Sequence, residues 1–231
     1  QMFEGLNKLY ESLSDSDKEL KELVKSNMFS YLNAEEHIKL AASWYGEGTL
    51  ELLDEDKQSI ILAIYRSQVL ADSETDTLLG KYLEDNKTDR GKRFKITANA
   101  CIPTKENKEK VWNIITHPKE NELSSYELRA YIAGLYSRFQ KGLLKDYPQK
   151  YLEALPLLAR SGEKDFMTIF TGGAFPPSYL IDESYFEKVK AVIAEFEDED
   201  KVKYDSFIKL AKSLVESKLS HLKIIEFAKG N

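Results

Sequence analysis

The histidines are the residues of this 231-residue sequence best suited to bind a metal ion or to transfer a proton. A hydrolytic zinc site of the H-E-x-x-H type needs two histidines one helical turn apart and a glutamate that activates water. Here His37, His117 and His221 lie far apart, and none has a second histidine four positions away. His117 precedes Pro118 at an expected helix end, where a cation interacts well with the helix dipole. The sequence therefore predicts no metal-binding residue and no cofactor in this segment.

Other patterns that carry catalysis are also missing from the sequence. It contains no G-x-S-x-G nucleophile turn and no phosphate-binding G-x-x-x-x-G-K-[ST] loop. The acidic groups Glu35-Glu36 and Asp54-Glu55-Asp56 stand at expected helix starts, where carboxylates interact with free backbone N–H groups. We therefore predict no catalytic residue, and the sequence does not identify the substrate-binding residues. Three arginines are candidates to bind a peptide carboxylate, although ion pairing between helices is the favoured interpretation: Arg93, Arg129 and Arg138.

Composition excludes several classes of partner. The net charge is −6, and basic residues are interleaved with acidic ones, which is unlike a nucleic-acid-binding surface. The compact basic cluster Arg90, Lys92, Arg93 and Lys95 is interpreted as a solvated helix start, with phosphate binding as the weaker alternative.

No apolar run approaches the roughly 18 residues that a membrane helix needs. The single cysteine, Cys101, is expected to be a small buried apolar residue, and the expected location is cytoplasmic unless a targeting signal lies upstream.

The elements that carry these residues are predicted to be helices. Glycine (11) and proline (6) are scarce, which favours long helices with short connections over a β-sandwich. Apolar residues recur at helical spacing in five stripes, within 20–31, 61–69, 128–139, 185–196 and 207–215. The first stripe comprises Leu20, Leu23, Val24, Met28 and Tyr31. Residues 94–102 alternate like a strand, but we predict a helix there because a lone strand would leave its backbone groups unpaired.

The helices are expected to pair with their neighbours along the chain. About a dozen helices of about 10 to 18 residues with short loops make consecutive helices antiparallel neighbours. The predicted fold class is all-α, a superhelical stack of antiparallel helix pairs of the armadillo/HEAT-like α-solenoid type. We predict one helical-repeat domain over residues 1–231. Trp44, Trp112 and most tyrosines are expected to lie in the core.

A family resemblance is carried by motifs spread over roughly residues 35–225. Asp85 to Arg93 has the pattern D-x-x-T-x-x-G-x-R, and it is followed by a helix, a proline and the K-x-x-x-W pattern of Lys108 and Trp112. Downstream come a tyrosine-rich helix and a helix that ends in G-x-F-P at Pro176. The order and spacing of these motifs resemble the C-terminal helical domain of aminopeptidase N-type zinc peptidases, the region related to that of endoplasmic reticulum aminopeptidases.

The resemblance implies a role without chemistry of its own. Such a domain covers the active-site chamber and helps to admit or hold peptide substrates, so its partners are the upstream catalytic domain of the same chain and the peptide. Zinc and the catalytic residues belong to that upstream domain, and this chain would be a segment of a larger metallo-aminopeptidase that removes N-terminal residues from peptides. The alternative function is a free-standing helical-repeat scaffold that binds a protein or peptide partner.

Overall fold

The computed structural model describes residues 1–230, without the side chains of Asp15, Glu226 and Lys229, and all regular structure in this range is helical. Two 3-10 turns (Asp15–Asp17 and Arg138–Gln140) accompany the α-helices. The α-helices in the described range are α1 (Met2–Ser12), α2 (Lys18–Ser30), α3 (Glu35–Glu47), α4 (Asp54–Ser67), α5 (Asp72–Asp85), α6 (Asp89–Ala100), α7 (Lys105–Thr116), α8 (Ser125–Leu135), α9 (Tyr147–Arg160), α10 (Lys164–Gly173), α11 (Glu183–Asp200) and α12 (Asp205–Gly230). The predicted all-α class is confirmed, and residues 89–100 form a helix despite their alternation.

The chain divides into two compact units, Gln1–Pro103 and Thr104–Asn231. In the first unit, α1 packs against α2, α3 against α4, and α4 also against α2, α5 and α6. In the second unit, α8 packs against α7 and α10, and α11 against α9 and α12. Packed helix pairs are what the predicted fold class requires. The prediction of a single domain over 1–231 stays a prediction.

The core of the first unit combines aliphatic side chains with aromatic ones such as Phe29 and Tyr82. Its buried side chains include Met28, Leu32, Ile38, Ile61 and Ile64. The first predicted stripe lies on a helix, as expected, but its residues Leu20 and Leu23 are 47% and 60% exposed. Helix α2 contacts α1 and α4 through a face narrower than the full apolar stripe, and the spacing of residues cannot reveal that width.

A buried charged pair joins α2 to the start of α4. Lys25 Nζ donates to Glu51 O at 2.6 Å, pairs with Glu22 at 2.8 Å and lies 3.7 Å from Asp56 Oδ2. Asp56 also accepts hydrogen bonds from Leu53 N at 3.0 Å and Ser26 Oγ at 2.9 Å. A buried charge is tolerated only when its partners replace water, and here each charge has several.

The D-x-x-T-x-x-G-x-R motif forms the turn between α5 and α6. Thr88 is the N-cap of α6, and its side chain accepts a hydrogen bond from Gly91 N at 3.3 Å. Thr88 N donates to Asn86 O at 2.8 Å, which folds the chain back on the first turn of α6. A Cβ at Gly91 would collide with that same Asn86 carbonyl oxygen. The threonine and the glycine of the motif are therefore required by the geometry of the turn.

The core of the second unit contains many aromatic side chains, as predicted for most tyrosines and for Trp112. The Trp112 ring lies 5.3 Å from that of Tyr147, and the Tyr151 ring stacks on Phe170 at 5.5 Å. The Tyr151 hydroxyl donates to Thr171 O at 2.7 Å, so its burial leaves the hydroxyl satisfied. Removal of the phenol from water raises the pKa of Tyr151 well above its usual value.

Lys108 explains the K-x-x-x-W motif. Its side chain is fully buried, and Nζ donates to Gly134 O at 3.1 Å and Leu135 O at 2.9 Å. These carbonyls lie at the C-terminal end of α8, where helices leave backbone oxygens without partners. Trp112, one helical turn later, is in the aromatic core, so the motif attaches α7 to both α8 and the core.

Three further expectations need correction. Cys101 is half-buried at the edge of the first core rather than buried. Phe139 lies beyond the end of α8 and is exposed, because the helix stops at Leu135. Helix α12 has 26 residues, more than the predicted length. Among the described residues, no helix is both long enough and apolar enough to cross a membrane.

Candidate functional site

The three histidines occupy separate places. In the first unit, the His37 ring stacks on Phe3 at a centroid distance of 4.4 Å. His117 follows the last residue of α7, as predicted for a helix end, and His221 is exposed on α12. Within the part of the chain that the structure describes, no group of three or more histidine, cysteine, aspartate and glutamate residues could hold a metal ion.

The geometry at His117 rules out a nucleophile–base pair with its neighbour. Thr116 Oγ1 lies 3.1 Å from His117 Nδ1, a distance that would suit such a pair. However, the Thr116 hydroxyl donates to Trp112 O at 2.9 Å, and Nδ1 lies 3.0 Å from Asn113 O. A ring nitrogen that donates to a carbonyl carries the proton and cannot accept another. Both side chains therefore bind backbone carbonyl groups in the last turn of α7.

The charged groups singled out in the sequence lie at helix starts, as predicted. Glu35 and Glu36 are in the first turn of α3, and the acidic triplet 54–56 is in the first turn of α4. The basic cluster lies along the first half of α6, with Arg90 3.5 Å from Glu55 and Lys92 3.1 Å from Asp89. These exposed pairs are ordinary surface contacts of modest strength.

The three candidate arginines are divided between the two compact units. Arg93 is half-buried on α6 in the first unit, whereas Arg129 is exposed on α8 in the second. The Arg138 guanidinium lies 4.9 Å from the centre of the Phe139 ring. In the described range, no salt bridge is formed by Arg129 or Arg138, so the ion pairing expected for them is not seen there.

In the second unit, a cleft with a volume of about 620 Å³ lies between α7 and α9. The lining residues of each helix share one face, because they recur three or four positions apart. We define this α7–α9 cleft by its apolar wall and its charged rim. The wall comprises Trp112, Ala154, Leu157 and Leu158, and the rim comprises Glu109, Lys119, Glu120, Lys150, Glu153 and Glu163.

Both lysines of the rim are already paired with carboxylates. Lys150 Nζ donates to Glu109 Oε1 at 2.6 Å and contacts the second oxygen as well. Lys119 Nζ lies 2.6 Å from Glu163 Oε1. Two rim carboxylates, Glu120 and Glu153, have no cationic partner among the described residues. The α7–α9 cleft therefore presents excess negative charge.

Tyr147 lies below the charged end of the cleft. Its ring packs against Trp112, and Lys150 Nζ lies 5.0 Å from the ring centre. Burial raises the pKa of Tyr147, and the Glu109 carboxylate raises it further. The phenol therefore stays neutral at ordinary pH.

The α7–α9 cleft was not predicted from the sequence. Trp112 was expected in the core and His117 at a helix end, and both expectations are correct. However, nothing in the sequence indicates that α7 and α9 are neighbours. The sequence did offer one signal, because Leu157 falls outside the helical spacing of Tyr151, Leu155 and Leu158. In the structure it is accordingly 70% exposed.

Comparison with known proteins gives one clear relationship. No curated protein matches the chain. The profile of the family described as ERAP1-like C-terminal domain matches residues 3–217, which is nearly the whole chain. The motifs that carried the resemblance, around Gly91, Lys108 and Tyr151, fall inside that range, and each has a structural role in the helical array. The chain therefore belongs to the ERAP1-like C-terminal domain family, the helical domain of M1 aminopeptidases.

Proposed function

We propose that this domain covers the active-site chamber of a zinc aminopeptidase and helps to admit or hold its peptide substrates. The observation that carries the proposal is the family match over residues 3–217. The all-helical architecture also supports it, because stacked helix pairs offer large surfaces without chemistry of their own.

In this proposal the chemistry belongs to the parent enzyme. A zinc ion in the upstream catalytic domain would activate water for attack on the first peptide bond. No group of three or more histidine, cysteine, aspartate and glutamate residues in the described part of this chain could hold that zinc ion. The part of this domain is to enclose the substrate and exclude competing molecules.

A cytoplasmic location is also proposed, on the basis of a single free cysteine, and cell fractionation tests it.

The test compares two substrates of the full-length parent. The parent is assayed with and without this domain on a single-residue fluorogenic amide and on a longer peptide, and the isolated chain is then added back. We expect loss of the domain to lower kcat/KM for the peptide more than for the amide, with partial recovery on addition. Equal losses for both substrates would contradict the proposal.

The length of the natural gene product separates the alternative function. A gene product that encodes no H-E-x-x-H motif before this domain would favour the free-standing scaffold. A metal-chelator-sensitive aminopeptidase activity in the full-length product would favour the chamber-covering role.

A further inference from the structure

We propose that the α7–α9 cleft binds a peptide segment through a lysine or arginine side chain that stands next to a bulky apolar residue. This inference rests on the proposed role in holding peptides, and it names the chemistry of the segment that is held. It is argued from three properties of the cleft: its apolar wall, its unbalanced charge and the helix ends that line it.

The apolar wall gives the segment a contact surface. Leu157 is 70% exposed beside Leu158 and the edge of Trp112, and no described helix covers it. A cleft of about 620 Å³ has room for one long side chain and part of its neighbour. Apolar surface of this kind favours a bulky aliphatic or aromatic residue and the methylene stem of a basic one.

The charges of the rim select a cation. Lys119 and Lys150 are neutralised by Glu163 and Glu109, and the carboxylates of Glu120 and Glu153 remain. Among the described residues, the neutral Gln149 amide is the group that donates a hydrogen bond to Glu153, at 3.0 Å. An anionic segment would meet uncompensated carboxylates, whereas an ammonium or guanidinium group would pair with them.

Two helix ends add to this preference. The last turn of α7 contributes Asn113, Thr116 and His117 to the lining, and the end of α9 contributes Ser161. Helix C-termini carry partial negative charge on their free carbonyl groups. Both ends line the same part of the cleft, because Lys119 and Glu163, which follow them, form an ion pair. The dipoles of α7 and α9 therefore add to the preference for a cation.

The fluorescence of Trp112 measures peptide binding in the cleft. In a Trp44→Phe background Trp112 is the one remaining tryptophan of the 231-residue sequence, and its fluorescence reports on the cleft. The probe is a blocked peptide with arginine between two leucines, and its matched partner carries citrulline, which keeps the shape and removes the charge. We expect the arginine peptide to change the fluorescence saturably and to bind several-fold more tightly than the citrulline peptide.

Variants then assign the binding to the cleft. Glu153→Gln should weaken the arginine peptide about threefold to fivefold, as expected for a partly exposed ion pair, and leave the citrulline peptide unchanged. Glu187→Gln is the control, because Glu187 is an exposed carboxylate on α11 that pairs with Lys190 at 2.7 Å, outside the lining residues. Leu157→Ala should weaken both peptides.

Several outcomes would overturn the inference: no binding, equal binding of the two peptides, or equal effects of Glu153→Gln and Glu187→Gln. None of them would alter the kinetic comparison of the parent's two substrates, so failure of this inference is distinguishable from failure of the proposed function.

Discussion

Replacing Gly91 with alanine adds a methyl group where the α5–α6 turn leaves no space. The new Cβ would lie far closer than 3.0 Å to Asn86 O and 3.2 Å from Asn86 C. The obstacle is backbone, and it is held in place because Asn86 O accepts a hydrogen bond from Thr88 N at 2.8 Å. The turn must therefore open before the methyl group fits.

The cost follows from the contacts that opening disrupts. Forcing a methyl group into a filled site costs about 1–3 kcal/mol, and loss of the Thr88 cap adds about 1 kcal/mol. The better helix propensity of alanine returns up to about 1 kcal/mol. We therefore expect Gly91→Ala to lower the free energy of unfolding of the first unit by about 1–4 kcal/mol.

Denaturant unfolding monitored by Trp44 fluorescence measures this change, because Trp44 packs against the core of the first unit. A Trp112→Phe background removes the other tryptophan. Gly80→Ala is the matched control: Gly80 lies inside α5, and its added Cβ meets no atom within 4 Å. It should stabilise the unit by about 0.5–1 kcal/mol. If both variants shift the midpoint in the same direction, the steric explanation of the motif is refuted.

Three other substitutions test the remaining structural claims. Lys108→Met leaves two carbonyls of α8 without their donor and should cost about 2–4 kcal/mol in denaturant unfolding; a change within about 0.5 kcal/mol would contradict the capping role. Asp56→Asn removes a charge near the buried Lys25 and should destabilise the first unit by about 2 kcal/mol. Unchanged stability would mean that the Glu22 carboxylate alone is enough to stabilise the buried Lys25 ammonium group. Because burial raises the folded-state pKa of Tyr151, its contribution to stability is complete below the usual phenol pKa and declines as the pH rises above it. Tyr151→Phe should make that alkaline decline shallower in unfolding experiments at increasing pH, and an unchanged slope would contradict this.

The class of fold was predictable because helical spacing is a local property. Residues 185–196 and 207–215 form helices whose apolar positions are buried or half-buried, as their spacing indicated. The exposed Leu20 and Leu23 show where this reasoning stops. A stripe predicts that a face is apolar, but neighbouring helices decide how much of it they cover.

The buried polar groups were unpredictable for a related reason. Lys25 and Lys108 look like solvated lysines in the sequence, yet both are buried. Their ammonium groups can be buried because carbonyl groups distant in the chain accept hydrogen bonds from them. The α7–α9 cleft likewise depends on the proximity of two helices separated by about 30 residues of sequence, which residue spacing does not encode.

The motifs that identify the family preserve the fold rather than recognise a substrate. Gly91 permits a turn, Lys108 completes the end of a helix, and Tyr151 satisfies a carbonyl inside the core. Gly91, Lys108 and Tyr151 do not line the α7–α9 cleft, whereas Trp112 of the K-x-x-x-W motif forms part of its wall. Substitutions at Glu153 or Leu157 leave the contacts of the first three residues intact, so they offer a way to change peptide binding without loss of the fold. Under the proposal made above, we therefore expect peptide preference to follow the exposed residues of the cleft rather than the residues that preserve the fold.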